Sequence, residues 1–98
     1  MGNQFGDRIK ELRESKKLLQ RQVASLLEID TPMLSKIERG ERKAKKEQVI
    51  QFANIYKVGN EELLTLWLSD QVYDVVKNER IADNVLKSVS KQIKANKK

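Results

Sequence analysis

The sequence predicts an all-α protein of six helices with a basic tail at residues 95–98. Apolar residues recur at i, i+3 and i+4 along six successive segments, the spacing that places them on one face of a helix. Residues that start or stop helices stand between these segments, for example Pro32, Gly40 and Asn60. These two observations together define the predicted helices.

The predicted helices are, in order, Gln4–Lys16, Gln20–Leu27, Thr31–Arg39, Glu47–Tyr56, Glu61–Lys77 and a sixth from Ile81 to Ile93. Asn60 is expected to cap the fifth helix, since Glu61 and Glu62 are acids suited to a helix N-terminus. The residues expected to face inward are Phe5, Ile9 and Leu12 in the first helix, Val23, Leu26 and Leu27 in the second, Leu34 and Ile37 in the third, and Val49, Ile50, Ala53 and Tyr56 in the fourth.

The second and third helices form the stretch around which the chain is organised. Three residues, Glu28 to Asp30, join them, and Ile29 is the apolar one that can hold this turn to the core. Either Asp30 or Thr31 can cap the third helix, because Pro32 fits a first turn and disfavours helical geometry at Thr31. Gly40 is expected to close that helix.

The composition excludes most enzyme classes. The 98 residues include no Cys and no His, which removes thiol chemistry, the commonest metal ligand and the usual general base. No Gly-rich phosphate motif or paired carboxylates stand out, so we expect no catalysis, no cofactor and no small-molecule ligand. Neither a signal peptide nor an apolar run of roughly 18 residues is visible, which predicts a cytoplasmic protein without membrane association.

The net charge of +6 is unevenly distributed along the chain. Residues 36–46 contain six basic residues against two acidic ones, whereas residues 60–83 contain six acidic residues against two basic ones. Residues 84–98 contain five Lys and no acid. A basic patch on the third helix and the loop after it suits a polyanion, while the acidic segment would be repelled by one.

From Phe5 to Leu64 the chain resembles the lambda repressor/Cro-like (XRE) family of helix-turn-helix proteins. The resemblance rests on an ordered set of residues at matching spacing: Ile9-x-x-Leu12-Arg13, Gln20-x-x-Val23-Ala24, Ile29, Leu34 to Gly40, and Glu62-Leu63-Leu64. The sequence departs from the family pattern at Lys17 and Glu28, where Gly is usual, and at Leu19, where Ser or Thr is usual. These departures predict local strain around the second helix.

The resemblance implies a compact five-helix domain at residues 1–68, which leaves residues 69–94 as a C-terminal helical extension before the tail. It also implies that the third helix enters the major groove of double-stranded DNA and reads bases with its exposed residues. Base contacts are then expected from Thr31, Pro32, Ser35 and Lys36, with Met33 mostly in the core. Phosphate contacts are expected from Gln20, Arg21, Arg39, Arg42, Lys43 and Lys46. The family pattern also pairs Arg13 with Glu38, which predicts a structural ion pair between the first and third helices.

The stripes of the fifth and sixth helices predict a homodimer, because a five-helix domain leaves little inside one subunit to cover them. The expected interface residues are Leu66, Trp67, Val72, Val75, Val76, Val85, Leu86, Val89 and Ile93. The leading hypothesis is a transcription regulator that binds a pseudo-palindromic operator, with phage repressors, restriction-modification controllers and antitoxins left open. The alternative is an antitoxin or interaction module whose C-terminal helices bind a partner protein.

Overall fold

A computed structural model describes residues 3–97, and within that range the chain forms six helices and no strand. The helices are α1 (Gln4–Ser15), α2 (Gln20–Leu27), α3 (Thr31–Glu38), α4 (Lys46–Tyr56), α5 (Asn60–Val76) and α6 (Ala82–Asn96). Each predicted helix is therefore present, with ends that differ from the predicted ones by at most three residues. In the described range no helix combines the length and apolar character that crossing a membrane requires.

The core lies among α1 to α4 and the first turns of α5. Its central aromatic side chain is Phe52, which meets Phe5 edge-on at a ring-centroid distance of 5.9 Å and stacks on Tyr56 at 6.0 Å. Phe52 is fully buried and was not among the predicted inward residues, whereas Ile50 is only half-buried. The buried face of α4 therefore contains Phe52 in place of the predicted Ile50.

The prediction for α2 was wrong at Leu26, which is 62% exposed. The buried residues of this helix are Val23, Ala24 and Leu27. Ala24 faces inward because a small side chain lets α3 approach closely, and this rotates the buried face away from Leu26.

The turn between α2 and α3 shows which of the two candidates, Asp30 or Thr31, caps α3. Asp30 is the cap, since its Oδ1 accepts a hydrogen bond from the Met33 backbone N–H at 2.8 Å. Gly40 follows the end of α3 with a φ of +78°, as expected. Glu28 and Lys17 also adopt left-handed backbone conformations, with φ values of 59° and 58°, where the related family usually has Gly.

The prediction that Asn60 caps α5 was wrong. The helix begins at Asn60 itself, and Gly59 precedes it in an extended conformation without a side-chain cap. Glu61 and Glu62 do lie in the first turn, where negative charge is favourable. From there α5 continues without a break to Val76, and Lys77 is its C-terminal cap.

The second half of α5 is joined to the start of the chain. Asp70 accepts hydrogen bonds from the backbone N–H groups of Gln4 at 3.0 Å and Phe5 at 2.9 Å. These are two of the donors that a helix N-terminus leaves without intrahelical partners, and a carboxylate there is also favoured by the helix dipole. Arg8 adds an ion pair to Glu62 at 2.6 Å. The chain thus shows no structural break at residue 68.

Helix α6 projects from the rest of the molecule. None of its residues is buried, although apolar residues recur along one side of it. The radius of gyration is 15.3 Å, compared with about 13 Å for a compact domain of this length. The molecule is therefore extended by an amphipathic helix that has little cover of its own.

Candidate nucleic-acid interface

Helix α3 presents an outer face opposite its two core residues. Leu34 and Ile37 are buried, which fixes the rotation of the helix about its axis. Pro32 and Lys36 are exposed, and Thr31 and Ser35 are half-buried beside them. All four residues predicted to contact bases therefore lie on the accessible part of one helix.

A notch of about 140 Å³ lies beside this face and is lined by Asp30, Pro32, Met33, Lys36 and Arg42. Arg42 comes from the loop after α3, and its backbone N–H donates to the Lys36 carbonyl oxygen at 3.3 Å. Glu41 N–H donates to the same carbonyl oxygen at 2.9 Å. These bonds fold the loop back against α3, so that Arg42 is grouped with the residues predicted to contact bases.

Arg39 is held differently from Arg42. Its guanidinium donates to both carboxylate oxygens of Glu41, at 2.8 and 3.2 Å, and also to the Ser35 hydroxyl. The hydrogen bond from Arg39 lowers the pKa of Glu41, so this pair stays ionised around neutral pH. The charge of Arg39 is partly offset by its neighbour, and among the loop cations it is the weaker candidate for a phosphate.

The rest of the loop is anchored on α5. Trp67 Nε1 donates to the Ala44 carbonyl oxygen at 2.9 Å, and Lys43 Nζ donates to Gln71 Oε1 at 3.4 Å. Lys45 and Lys46 are exposed at the N-terminus of α4. Cations are unfavourable at that end of a helix dipole, so their placement suits an incoming anion. Lys45 is not among the residues predicted to contact phosphate, although it lies next to Lys46 at the start of α4.

A buried ionic cluster holds α1, α2 and α3 together. Arg13 donates to Glu38 through Nε at 2.8 Å and through Nη2 at 3.2 Å, and its Nη1 donates to the Leu18 carbonyl oxygen at 3.0 Å. Gln20 Nε2 donates to the same Glu38 carboxylate at 2.9 Å. Burial raises the pKa of the neighbouring Tyr56 hydroxyl, and the negative charge of Glu38 adds to that effect.

Gln20 therefore belongs to the cluster as well as to the predicted phosphate contacts. It is half-buried in the first turn of α2, beside the exposed Arg21. The N-terminal cap of this helix is Leu19, which has no side-chain acceptor, and Gln22 Oε1 accepts from the Leu19 N–H at 2.7 Å. The bond from Gln20 to Glu38 fixes the start of α2 relative to α3.

The nine predicted interface residues fall into two groups. Leu66 and Trp67 pack against the core, and Val76 is only 6% exposed, so these three already have contacts within the chain. Exposed or half-buried residues make up the second group, which comprises Val72, Val75, Val85, Leu86, Val89 and Ile93. The uncovered apolar surface is therefore concentrated on the outer side of α5 and on α6.

The comparisons with known proteins bear on the same part of the chain. A family model described as a helix-turn-helix domain matches residues 4–66, which is more than half of the chain. No curated protein and no solved structure gives a significant match. The matched segment contains α1 to α4, the first turns of α5 and every residue predicted to contact DNA, while α6 lies outside it.

Proposed function

The chain belongs to the helix-turn-helix domain family, and from that premise we propose that it is a transcription regulator that binds a specific duplex DNA operator as a homodimer. The observation that carries the proposal is the grouping of Lys36, Pro32 and Arg42 around one notch on the exposed side of α3. Helices of this kind enter the major groove with their N-terminal residues next to the base edges.

The chemistry of this face matches what base edges offer. Lys36 donates to guanine O6 and N7, and Thr31 and Ser35 carry hydroxyl groups that donate or accept. Pro32 and the Thr31 methyl group provide apolar contact for a thymine methyl. A guanidinium at Arg42 adds a bidentate donor at the edge of the same surface.

We expect phosphate contacts from two groups of residues. The first lies in the first turn of α2, with Gln20 and Arg21, and the second lies at the start of α4, with Lys45 and Lys46. Lys43 extends the second group, whereas Arg39 is already paired with Glu41. Such contacts fix the position of the protein on the duplex and make its affinity depend on salt.

The experiment starts with selection of binding sites by the purified protein from a pool of random duplexes. We expect a pseudo-palindrome with half-site centres about 34–36 Å apart, because a two-fold dimer places its recognition helices at that spacing. Lys36→Ala should cost about 1–3 kcal/mol on the selected site and flatten the preference at one base pair. Lys43→Ala is the matched control and should weaken binding to all sequences alike.

Salt dependence tests the assignment to DNA itself. If the loop cations neutralise phosphates, log K falls steeply with log[salt], and removing one contact lowers the slope by about 1. Titrations of Lys43→Ala and Lys46→Ala at several salt concentrations measure this. An affinity that does not change with salt contradicts the proposed function.

A second candidate function is supported by the uncovered apolar side of α5 and α6. The same surface would suit an interaction module that folds its C-terminal helices against a different protein. Sedimentation of the purified chain separates the two functions. A dimer at micromolar concentration supports the regulator, and a monomer until a different protein is added supports the interaction module.

A further inference from the structure

Two apolar surfaces lie open on the C-terminal part of the chain. The first is a groove of about 520 Å³ along α5, lined by Thr65, Leu68, Ser69, Val72, Tyr73, Val76 and, from α6, Leu86. The second is the stripe of α6 beyond Leu86, where Val89 is 43% exposed and Ile93 is 62% exposed. One subunit therefore contains both an open apolar groove and an amphipathic helix that could occupy such a groove.

The chain's own α6 does not fill this groove. Only Leu86, in the second turn of α6, lines it, and no residue of α6 is buried. The turn formed by residues 77–81 directs α6 away from α5 after that contact, which agrees with the extended shape of the molecule. The apolar residues farther along α6, Val89 and Ile93, therefore need another surface to pack against.

We propose that a second copy of this chain fills the groove with its own α6, and that the exchange is reciprocal. The proposal rests on the homodimer of the proposed function and specifies which segments meet. Each subunit gives one α6 and receives one, so that two α5 and two α6 helices form a four-helix core about a two-fold axis.

Charge favours this occupant over another arrangement of the same helices. Helix α5 contains four acidic residues and no basic one, whereas α6 contains three Lys and one Asp. Glu62 and Asp74 are paired with Arg8 and Lys77, which leaves Glu61 and Asp70 as the source of the net negative charge on α5. Placing α6 on the partner's α5 brings opposite net charges together, and placing two α6 helices side by side brings like charges together. Lys87, Lys91 and Lys94 lie on the side of α6 away from the stripe, so they stay in water when the stripe is buried.

The dimensions of the two surfaces also agree. The groove extends from Thr65 to Val76, about 16 Å along the helix, and the stripe from Val85 to Ile93 covers about 12 Å. Thr65 and Ser69 have small side chains, which lets a helix approach closely between the larger groove residues. Val72 and Val89 lie near the middle of their surfaces, so they face each other whichever way α6 runs.

Disulfide trapping tests the exchange, because the chain has no cysteine of its own. Val72→Cys and Val89→Cys are prepared as two separate proteins, mixed and oxidised. The expected result is a cross-linked heterodimer in the mixture, at least tenfold more abundant than the cross-linked product of either protein alone. Both positions are on the exposed side of their helices, so the variants should fold, and circular dichroism checks this.

Three results would overturn the proposal. Efficient cross-linking of Val89→Cys alone would mean that α6 packs on α6 of the partner. A chain carrying both substitutions that closes only within itself would mean that each α6 covers its own α5. No cross-link in the mixture, from chains that sediment as dimers, would place the interface elsewhere.

A second measurement does not depend on disulfide geometry. Val89→Asp should sediment as a monomer, and Ser88→Asp, one residue away and off the stripe, should remain a dimer. A dimeric Val89→Asp contradicts the exchange. Binding of the trapped dimer to the selected operator is measured separately, so a trapped dimer that ignores DNA would reject the proposed function and leave the exchange intact.

Discussion

Glu38 is the residue through which three helices are held in one arrangement. It is 3% exposed and accepts hydrogen bonds from two nitrogens of Arg13 and from the Gln20 amide. A buried carboxylate is tolerated only when it is paired and hydrogen-bonded, and here α1 and α2 supply all three donors. Helix α3 is thereby fixed relative to the start of α2.

Removing either partner of the Arg13–Glu38 pair tests the contribution of this cluster to stability. Arg13→Ala and Glu38→Ala should each lower the free energy of unfolding by about 3–5 kcal/mol, because the surviving buried charge is left uncompensated. Chemical denaturation measures the loss. Glu41→Ala is the control, since it breaks an exposed ion pair and should change stability by less than about 1 kcal/mol. If Arg13→Ala also costs less than about 1 kcal/mol, the Arg13–Glu38 pair does not hold the helices together.

At the scale of the helices, strain is concentrated where the chain leaves them. Lys17, Glu28 and Lys57 each follow a helix in a left-handed conformation that an L side chain adopts at a cost. The cost at Glu28 lies between the two helices of the DNA-binding motif. Gly would remove it, since Gly has no Cβ to crowd the neighbouring carbonyl.

Glu28→Gly is therefore expected to stabilise the protein by about 0.5–1 kcal/mol. This figure is the backbone strain that Gly relieves minus the cost of the additional conformational entropy that Gly gives the unfolded chain. Thermal unfolding should show a midpoint raised by a few degrees. Glu28→Val, which places a β-branched side chain in the same conformation, should lower the midpoint. If both variants melt alike, the backbone at this position carries no strain.

The helices themselves could be predicted from the sequence because their stripes and caps are local patterns. The errors in the buried faces arose where a distant element decides the outcome. Leu26 and Ala24 both fit an inward face, and the close approach of α3 selects Ala24. In α4 the aromatic contacts of Phe52 with Phe5 centre the buried face, and no window of α4 alone contains that information.

The candidate site likewise has a part that the sequence predicted and a part that it could not predict. The exposed residues of α3 follow from the burial of Leu34 and Ile37, and the motif spacing identified them. The grouping of Arg42 with Lys36 depends on the backbone path of the loop, and the pairs Arg39–Glu41 and Gln20–Glu38 depend on side-chain directions. Residue type and spacing do not determine such directions, so these could not be predicted.

At the scale of the whole molecule, α5 serves both parts of the chain. Its first half completes the core, and Asp70 in its second half caps α1. Its outer side forms the groove proposed to receive the partner's α6. The DNA-binding part and the C-terminal extension therefore share one continuous helix.

This sharing predicts how the chain tolerates shortening. A protein that ends after Lys77 keeps Asp70 and should fold as a monomer with weak affinity for one half-site. A protein that ends after Ser69 loses the cap of α1 and should be less stable by about 1–2 kcal/mol. Urea unfolding of the two proteins gives the difference, and Asp70→Ala in the full chain is the control that should reproduce the loss. Equal stability of the two shortened proteins would contradict the capping role.

The cap of α1 also has a consequence for how the protein is made. Gln4 and Asp70 are 66 positions apart in the chain, so the first helix leaves the ribosome long before its capping residue is synthesised. Until then, the N–H groups of Gln4 and Phe5 are left to water. Contacts between such distant positions slow folding because a large loop must close first. The final step of folding is thus expected when α5 emerges and joins the two ends of the domain.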